Sequence, residues 1–323
     1  MKAMESRRQL LARAGAAALF ATGLPLAARA QATFPAKPVT IVVPFPPAGG
    51  ADTLARILAT PLGALWGQQV IVENRPGASG HIGAAHVARA APDGHTLVMA
   101  STAALTRENL RQFAPVALVS ASPYVITVSS QSGIRTLAQL IAQARAEPGR
   151  LTFGSSGEGS ASHLTVELFK QQAGIDMLHV PYKGTGQAVT DLLSGTIQLM
   201  FAPGQTVSPH VKAGKLQALA VTSATRAKAF PELPPASEAG LAGYSAVGWF
   251  GLLAPAATPP AVVRKINADV NALLAQAAIE RTLLANGAEP ASGSPEAFGK
   301  FIVDELDKWG QLEVQMQVRS RKP

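Results

Sequence analysis

Leu151-Thr-Phe-Gly-Ser-Ser-Gly-Glu-Gly-Ser-Ala-Ser-His-Leu-Thr-Val-Glu-Leu-Phe-Lys170 sets the frame for the rest of the chain. Leu151 to Phe153 reads as the end of a buried strand, and Gly154 to Gly159 as a loop with almost no side-chain bulk. Leu164, Leu168 and Phe169 then recur at helical spacing, which predicts a helix starting near Ser160 or Ser162. A strand, a small-residue turn and a helix N-terminus present unpaired backbone N–H groups and the positive end of a dipole. Ser155, Ser156 and Ser160 add hydroxyl donors, and an anion, carboxylate or phosphate, fits such a place. Three or four charge-assisted hydrogen bonds there support an affinity near micromolar, about −8 kcal/mol. The plainer reading is an N-cap turn whose serines satisfy only their own helix. Six glycines and serines among the seven residues 154–160 exceed what one cap requires.

Upstream of the fold, Arg7-Arg8 is followed by an apolar run from Ala14 to Leu26 and by Ala28-Arg29-Ala30. That order predicts a secretory signal peptide over residues 1–30, with Ser6-Arg7-Arg8-Gln9-Leu10-Leu11 resembling the twin-arginine export signal. Removing the +4 carried by residues 1–30 from the total of +8 leaves +4 on the mature part. No basic cluster with interleaved aromatics is present, so nucleic acid is not an expected partner. The chain has no cysteine, which excludes disulfides, thiolate catalysis and zinc–cysteine sites.

Further strand–loop–helix units precede the opening stretch. Val39-Thr-Ile-Val-Val43 is a β-branched run of the kind buried on both faces. Pro44-Phe-Pro-Pro-Ala-Gly-Gly-Ala-Asp52 turns, and a helix follows with Asp52 as its expected cap. Gln69–Glu73 and Thr96–Ala100 are further strands, with a small-residue loop at 74–80 and a helix from Ile82 to Ala91 between them. Alternation of this kind predicts an α/β fold with parallel sheets, whose ligands sit outside the carboxyl ends of the strands. Pro115–Val119 and Tyr124–Val128 read as two strands parted by Ser-Ala-Ser-Pro, where the chain crosses into a second lobe. Helices are expected over Leu137–Ala146, Gln187–Ser194, Ala261–Ala275 and Ala297–Gly310, and strands at Leu199–Phe201, Leu216–Val221 and Gly248–Leu253. The expected organisation is one lobe from 31–121 and 250–323 and another from 122–249, joined by two crossings around a cleft.

Taken together, these motifs resemble those of the tripartite tricarboxylate transporter substrate-binding proteins, the Bug or TctC family. The likeness rests on Pro44-Phe-Pro-Pro-Ala-Gly-Gly-Ala-Asp-Thr-Leu-Ala-Arg56, Glu73-Asn-Arg-Pro-Gly-Ala78, Ala91-Pro-Asp-Gly-His-Thr-Leu97 and Phe113-Ala-Pro-Val116. Phe153-Gly-Ser-Ser-Gly157, Val180-Pro-Tyr-Lys-Gly-Thr-Gly186, His210-Val-Lys-Ala-Gly-Lys215 and Ala218-Leu-Ala-Val-Thr222 extend it over nearly the whole mature chain. The resemblance implies a two-lobed periplasmic binding protein of the Venus-flytrap kind, each lobe a mostly parallel sheet flanked by helices. It implies a monomer that takes up a small carboxylate and hands it to membrane permease subunits, with no cofactor. It places Phe45, Pro47, Ala48, Gly49 and Asp52 in one jaw, and Ser155, Ser156, Gly157, Ser160 and His163 in the other. Ser101 and Thr102 fall at the ligand's distal end, and Lys183, Gly184 and Thr185 are second-lobe contributors. Ala202 stands where the family usually has aspartate, and Gln198 replaces an aspartate in the approach to the same strand. The 101–113 segment is shorter than usual, so the specificity end departs from the pattern.

Two other classes compete. A binding protein that feeds a sensor kinase would share these residues. An exported hydrolase would need a nucleophile elbow, and no G-x-S-x-G occurs. His81 and His86 lie five apart with no H-E-x-x-H, so no metal site is expected.

Overall fold

The computed structural model describes residues 34–320. The export segment expected over 1–30 lies outside the described residues. Among the described residues nine strands form: β1 (Val39–Val43), β2 (Val70–Asn74), β3 (Thr96–Ala100), β4 (Phe113–Ser129), β5 (Thr152–Ser155), β6 (Leu178–Pro181), β7 (Leu199–Pro203), β8 (Leu216–Val221) and β9 (Val247–Pro255). The longer helices are α1 (Gly50–Trp66), α2 (His81–Ala88), α3 (Leu137–Ala146), α4 (Ala161–Ala173), α5 (Thr185–Ser194), α6 (Gly204–Lys212), α7 (Pro260–Leu274), α8 (Ala277–Ala285) and α9 (Pro295–Ser320).

In the first lobe β1 pairs in parallel with β2 and β3, and β9 runs antiparallel to both β3 and the first half of β4. In the second, β5 is parallel to β6 and β7, while the end of β4 runs antiparallel to β7 and β8. Each lobe is therefore a mostly parallel sheet with one reversed strand. β1 reads as a continuous β-branched run because both its faces are covered. Ile41 and Val43 pack with Leu54 and Leu58 of α1, while Val42 packs with Val87, Phe298 and Ile302. Fully burying one such side chain contributes about 1.5–3 kcal/mol. The second lobe's core gathers Ile126, Leu140, Leu164, Phe169 and Phe201, and Trp309 of α9 joins them.

Two expectations need correcting. The strands foreseen at 115–119 and 124–128 are one 17-residue strand that belongs to both sheets. Ser120 and Ser122, which look like turn residues, are buried, and their hydroxyls bond each other at 2.7 Å. Pro115 borders a bulge, and Pro123 is the last residue paired with β9 before β4 moves on to β7 and β8, where a missing N–H is tolerated. The second correction is α6, foreseen as no element at all. Its start buries Gln205, Thr206 and Ser208 alongside a single large apolar residue, Val207, so its buried face is mostly polar and hard to read as a hydrophobic stripe.

Candidate functional site

The β1–α1 connection builds the first wall. Ala48 adopts a left-handed backbone, φ 64°, and Gly49 is the N-cap of α1. Asp52 is thus not the cap, as the sequence reading had it, but a strut in the first turn. Its carboxylate accepts from the Ala48 N–H at 3.0 Å, from Asn74 Nδ2 at 3.0 Å and from Arg56 Nε at 3.0 Å. Burial alone would push the Asp52 carboxyl up; the donors from Arg56, Ala48 and Asn74 outweigh it and hold the pKa below the usual value. Asn74 also donates to the Phe45 carbonyl at 3.1 Å, so the loop's shape is pinned from β2.

The β5–α4 loop uses most of its hydroxyls on itself. Ser160 is the N-cap, accepting from the His163 N–H and donating to the Gly157 carbonyl at 2.6 Å. Ser155 is fully buried and donates to the same carbonyl at 3.0 Å. Ser155 Oγ and His179 Nε2 also hydrogen-bond each other at 2.7 Å. His163 accepts from the Gly159 N–H and stacks on His179, centroids 4.0 Å apart and planes within 15°. Burial pushes both imidazoles down, and the neighbouring His163 takes His179 further, to about 4.

Opposite Pro46 lies the β6–α5 connection. The N-cap of α5 is Gly184, and a Cβ there would stand 3.1 Å from the Pro46 ring; one on Gly49 would stand 3.5 Å from Thr185 Oγ1. The two walls therefore touch across the opening. Between them is a cleft of about 270 Å³. Phe45, Pro47, Gly49 and Gly50 line it from the first lobe, with Ser101 and Ala103 beyond the end of β3. Ser156, Ala161, Ser162, Gly184, Thr185, Gly186, Gln187 and Thr190 line it from the second, while Tyr124, Pro203 and Phe250 lie where the strands cross.

No charged side chain is among the described residues lining the cleft. The starts of α1, α4 and α5 all reach it. Ser160 caps α4, whereas the α1 and α5 N-caps are glycines with no side-chain cap hydrogen bond. Two helix starts with unsatisfied N–H groups thus face one another across a neutral cleft, each able to contribute about 0.3–2 kcal/mol toward an anion. Phosphate, sulfonate and carboxylate satisfy such a pair equally well in principle.

Kinship narrows the choice. Residues 54–317 match the family described as the tripartite tricarboxylate transporter family receptor, TctC. The chain belongs to the TctC family. Among relatives, BugT of Bordetella pertussis is 36% identical, over 86% of this chain and 88% of BugT. Among solved structures, Rpa4515 of R. palustris with adipate superposes with a TM-score of 0.81 at 33% identity, covering 86% of this chain and 97% of that one. MatC from Rhodopseudomonas palustris with bound malate gives 0.78 at 30% identity, covering 86% and 99%. The TctC family and these neighbours are solute-binding proteins rather than enzymes.

Within this TctC chain the residues singled out from sequence separate into two sets. Phe45, Pro47, Gly49, Ser101, Ser156, Gly184 and Thr185 come together around the cleft. Ala48, Asp52, Ser155, Gly157, Ser160 and His163 lie behind it, shaping the two loops. Lys183 is not part of the lining, Thr102 faces a separate concavity beside Ser79 and His81, and Ala202 is fully buried among Val125, Ala188 and Val207. The lining residues that sequence reading missed include Ser162, Gly186, Gln187, Tyr124, Pro203 and Phe250. An available signal was Gly184-Thr-Gly186, an uncapped helix start. Tyr124 and Phe250 had none, since only the crossing of β4 and β9 brings them in.

Glu158, His163 and His179 bring possible metal ligands within 4.8 Å of one another. The stacked rings direct their in-plane lone pairs side by side rather than to one point, and the group is best described as a packed pair supporting Ser155.

Proposed function

We propose that this protein is an exported, periplasmic, monomeric receptor that closes its two lobes, 31–121 with 250–323 and 122–249, on one small carboxylate. It then delivers that carboxylate to the membrane permease of a tripartite tricarboxylate transporter. The observation that carries the reading is the pair of uncapped helix starts, Gly49–Gly50 and Gly184–Thr185, meeting across a cleft without charged side chains. A carboxylate placed between them would supply both missing caps, and only the closed arrangement offers both to one guest. Neutral donors also suit a scaffold whose relatives hold ligands as different as adipate and malate. The volume is just below the range of about 300–1,000 Å³ usual for drug-sized ligands, as befits a metabolite.

A thermal-shift panel of mono-, di- and tricarboxylates tests the reading. A carboxylate present at 100 times its Kd is expected to stabilise the protein by about 2.7 kcal/mol. A panel in which none of these acids moves Tm would refute the carboxylate reading, and conversion of a bound acid to product would refute the receptor reading.

A further inference from the structure

Gln205 is the second residue of α6, and only 6% of it is exposed. Neither its Oε1 nor its Nε2 has a hydrogen-bond partner among the described residues. Among the described buried side-chain amides, only Gln205 has both ends unpartnered; Asn271 leaves its Oδ1 unpaired but donates from Nδ2. Asn267 donates to the carbonyls of Val116 and Gly293 and accepts from Asn271, and Gln198 accepts from the backbone and hydroxyl of Thr152. Gln205 instead lines a hollow of about 10 Å³, room for one oxygen-sized guest, together with Ser122, Tyr124, Pro203 and Phe250. Tyr124, Pro203 and Phe250 also line the main cleft, so the hollow adjoins it. A Cβ on Gly50 would stand 3.4 Å from Gln205 Oε1, which sets the amide beside the uncapped start of α1.

We propose that Gln205 is a specificity-determining residue that reads a hydroxyl or carbonyl oxygen borne on the ligand's carbon chain. The inference rests on the carboxylate-receptor reading above. An amide with both ends unused asks for a partner that can donate as well as accept. A hydroxyl, or a carbonyl carrying one water into the hollow, meets that need. A second carboxylate would meet only the N–H groups and set its charge against Oε1, and among the described residues no acidic side chain lines the cleft to hold an ammonium. The chain is therefore assigned hydroxy- and oxo-substituted carboxylates in preference to unsubstituted ones, because a site built to hydrogen-bond such a group discriminates against the analogue that lacks it.

Calorimetry on matched pairs, malate against succinate and 3-oxoadipate against adipate, tests this in the full-length mature protein. Wild type is expected to bind the substituted member of at least one pair about tenfold or more tighter. In Gln205→Leu that advantage disappears, the substituted acid losing at least tenfold and the plain acid changing less than threefold. Ligand-free Tm is expected to rise in Gln205→Leu, since the unpartnered amide is gone; Gln205→Met serves as the second variant should leucine not fold. Equal affinities within both pairs, or a preference that survives both substitutions, overturns the role of Gln205 and leaves the receptor reading standing. Wild type that binds none of the four acids, together with no response across the wider carboxylate panel, overturns both.

Discussion

Gly184→Val tests closure at its narrowest point. Gly184 sits in extended backbone, φ 162° and ψ 165°, which valine adopts without strain. The new Cβ would lie 3.1 and 3.2 Å from Cδ and Cγ of Pro46, about 0.5 Å inside comfortable carbon–carbon contact. The γ-methyls reach farther still. Pro46 is a rigid ring followed by Pro47 and cannot swing aside like a long side chain, so the lobes must part. Overpacking of this kind costs about 1–3 kcal/mol, and that penalty falls on the closed, ligand-holding form. At about 1.4 kcal/mol per tenfold, affinity for a carboxylate that wild type binds should fall about 5- to 150-fold. Gly184→Ala should fall at the lower end. Ligand-free Tm should hardly change, because the open form relieves the contact. Titration calorimetry measures the affinity, and small-angle scattering with and without ligand reports the compaction. Valine at 184 with affinity within twofold of wild type would refute the reasoning.

Other expectations follow from the struts behind the cleft. Asp52→Asn removes the charge that Arg56, Asn74 and the Ala48 N–H converge on; a loss of about 1–3 kcal/mol in urea unfolding is expected, with weaker ligand binding, and unchanged stability and affinity would show the loop is held some other way. His179, held at about 4 against an ordinary 6.5 by burial and by His163, gives a defined pH dependence. The unfolded chain takes up this proton through pH 6.5 and the folded chain only near pH 4, so its stabilisation is whole above 6.5 and drains away between 6.5 and 4. The shift corresponds to about 3 kcal/mol, reduced to about 1–2 kcal/mol by solvent at the partly open ring. His179→Asn should flatten that segment of a stability–pH profile, and parallel profiles for variant and wild type would exclude the effect. Ser155→Ala, which removes bonds to Gly157 and His179, should destabilise the loop by about 1–2 kcal/mol while the fold persists; native stability would mean the hydroxyl is dispensable.

How much of this was legible follows from which signals are local. Val39–Val43 and Thr96–Ala100 formed as foreseen, because a short β-branched or apolar run buried on both faces needs no partner to be recognised. Leu137–Ala146 likewise announces itself, with Thr136 and Gln139 forming a capping box just before its apolar stripe. The starts of α1 and α5 were placed two or three residues late for the opposite reason: glycine caps leave no side-chain marker, and that missing cap is what makes the starts useful to a ligand. The hydroxyls of Ser155 and Ser160 looked like ligand donors because composition cannot show that Gly157 takes both. Gln205 was invisible because α6 buries three polar residues beside Val207, where a helix usually buries mostly apolar ones. The family motifs nevertheless led to the receptor class, since their order along the chain is itself a long-range signal.

The central claim, that a carboxylate is gripped by backbone amides at two facing helix starts, is tested most directly by a crystal structure of the protein with a carboxylate it binds. Carboxylate oxygens are expected within about 3.2 Å of amide nitrogens from both the Gly50–Asp52 and the Thr185–Gln187 turns. A ligand carboxylate resting on a lysine, arginine or histidine side chain, or lying outside the cleft, would contradict the account.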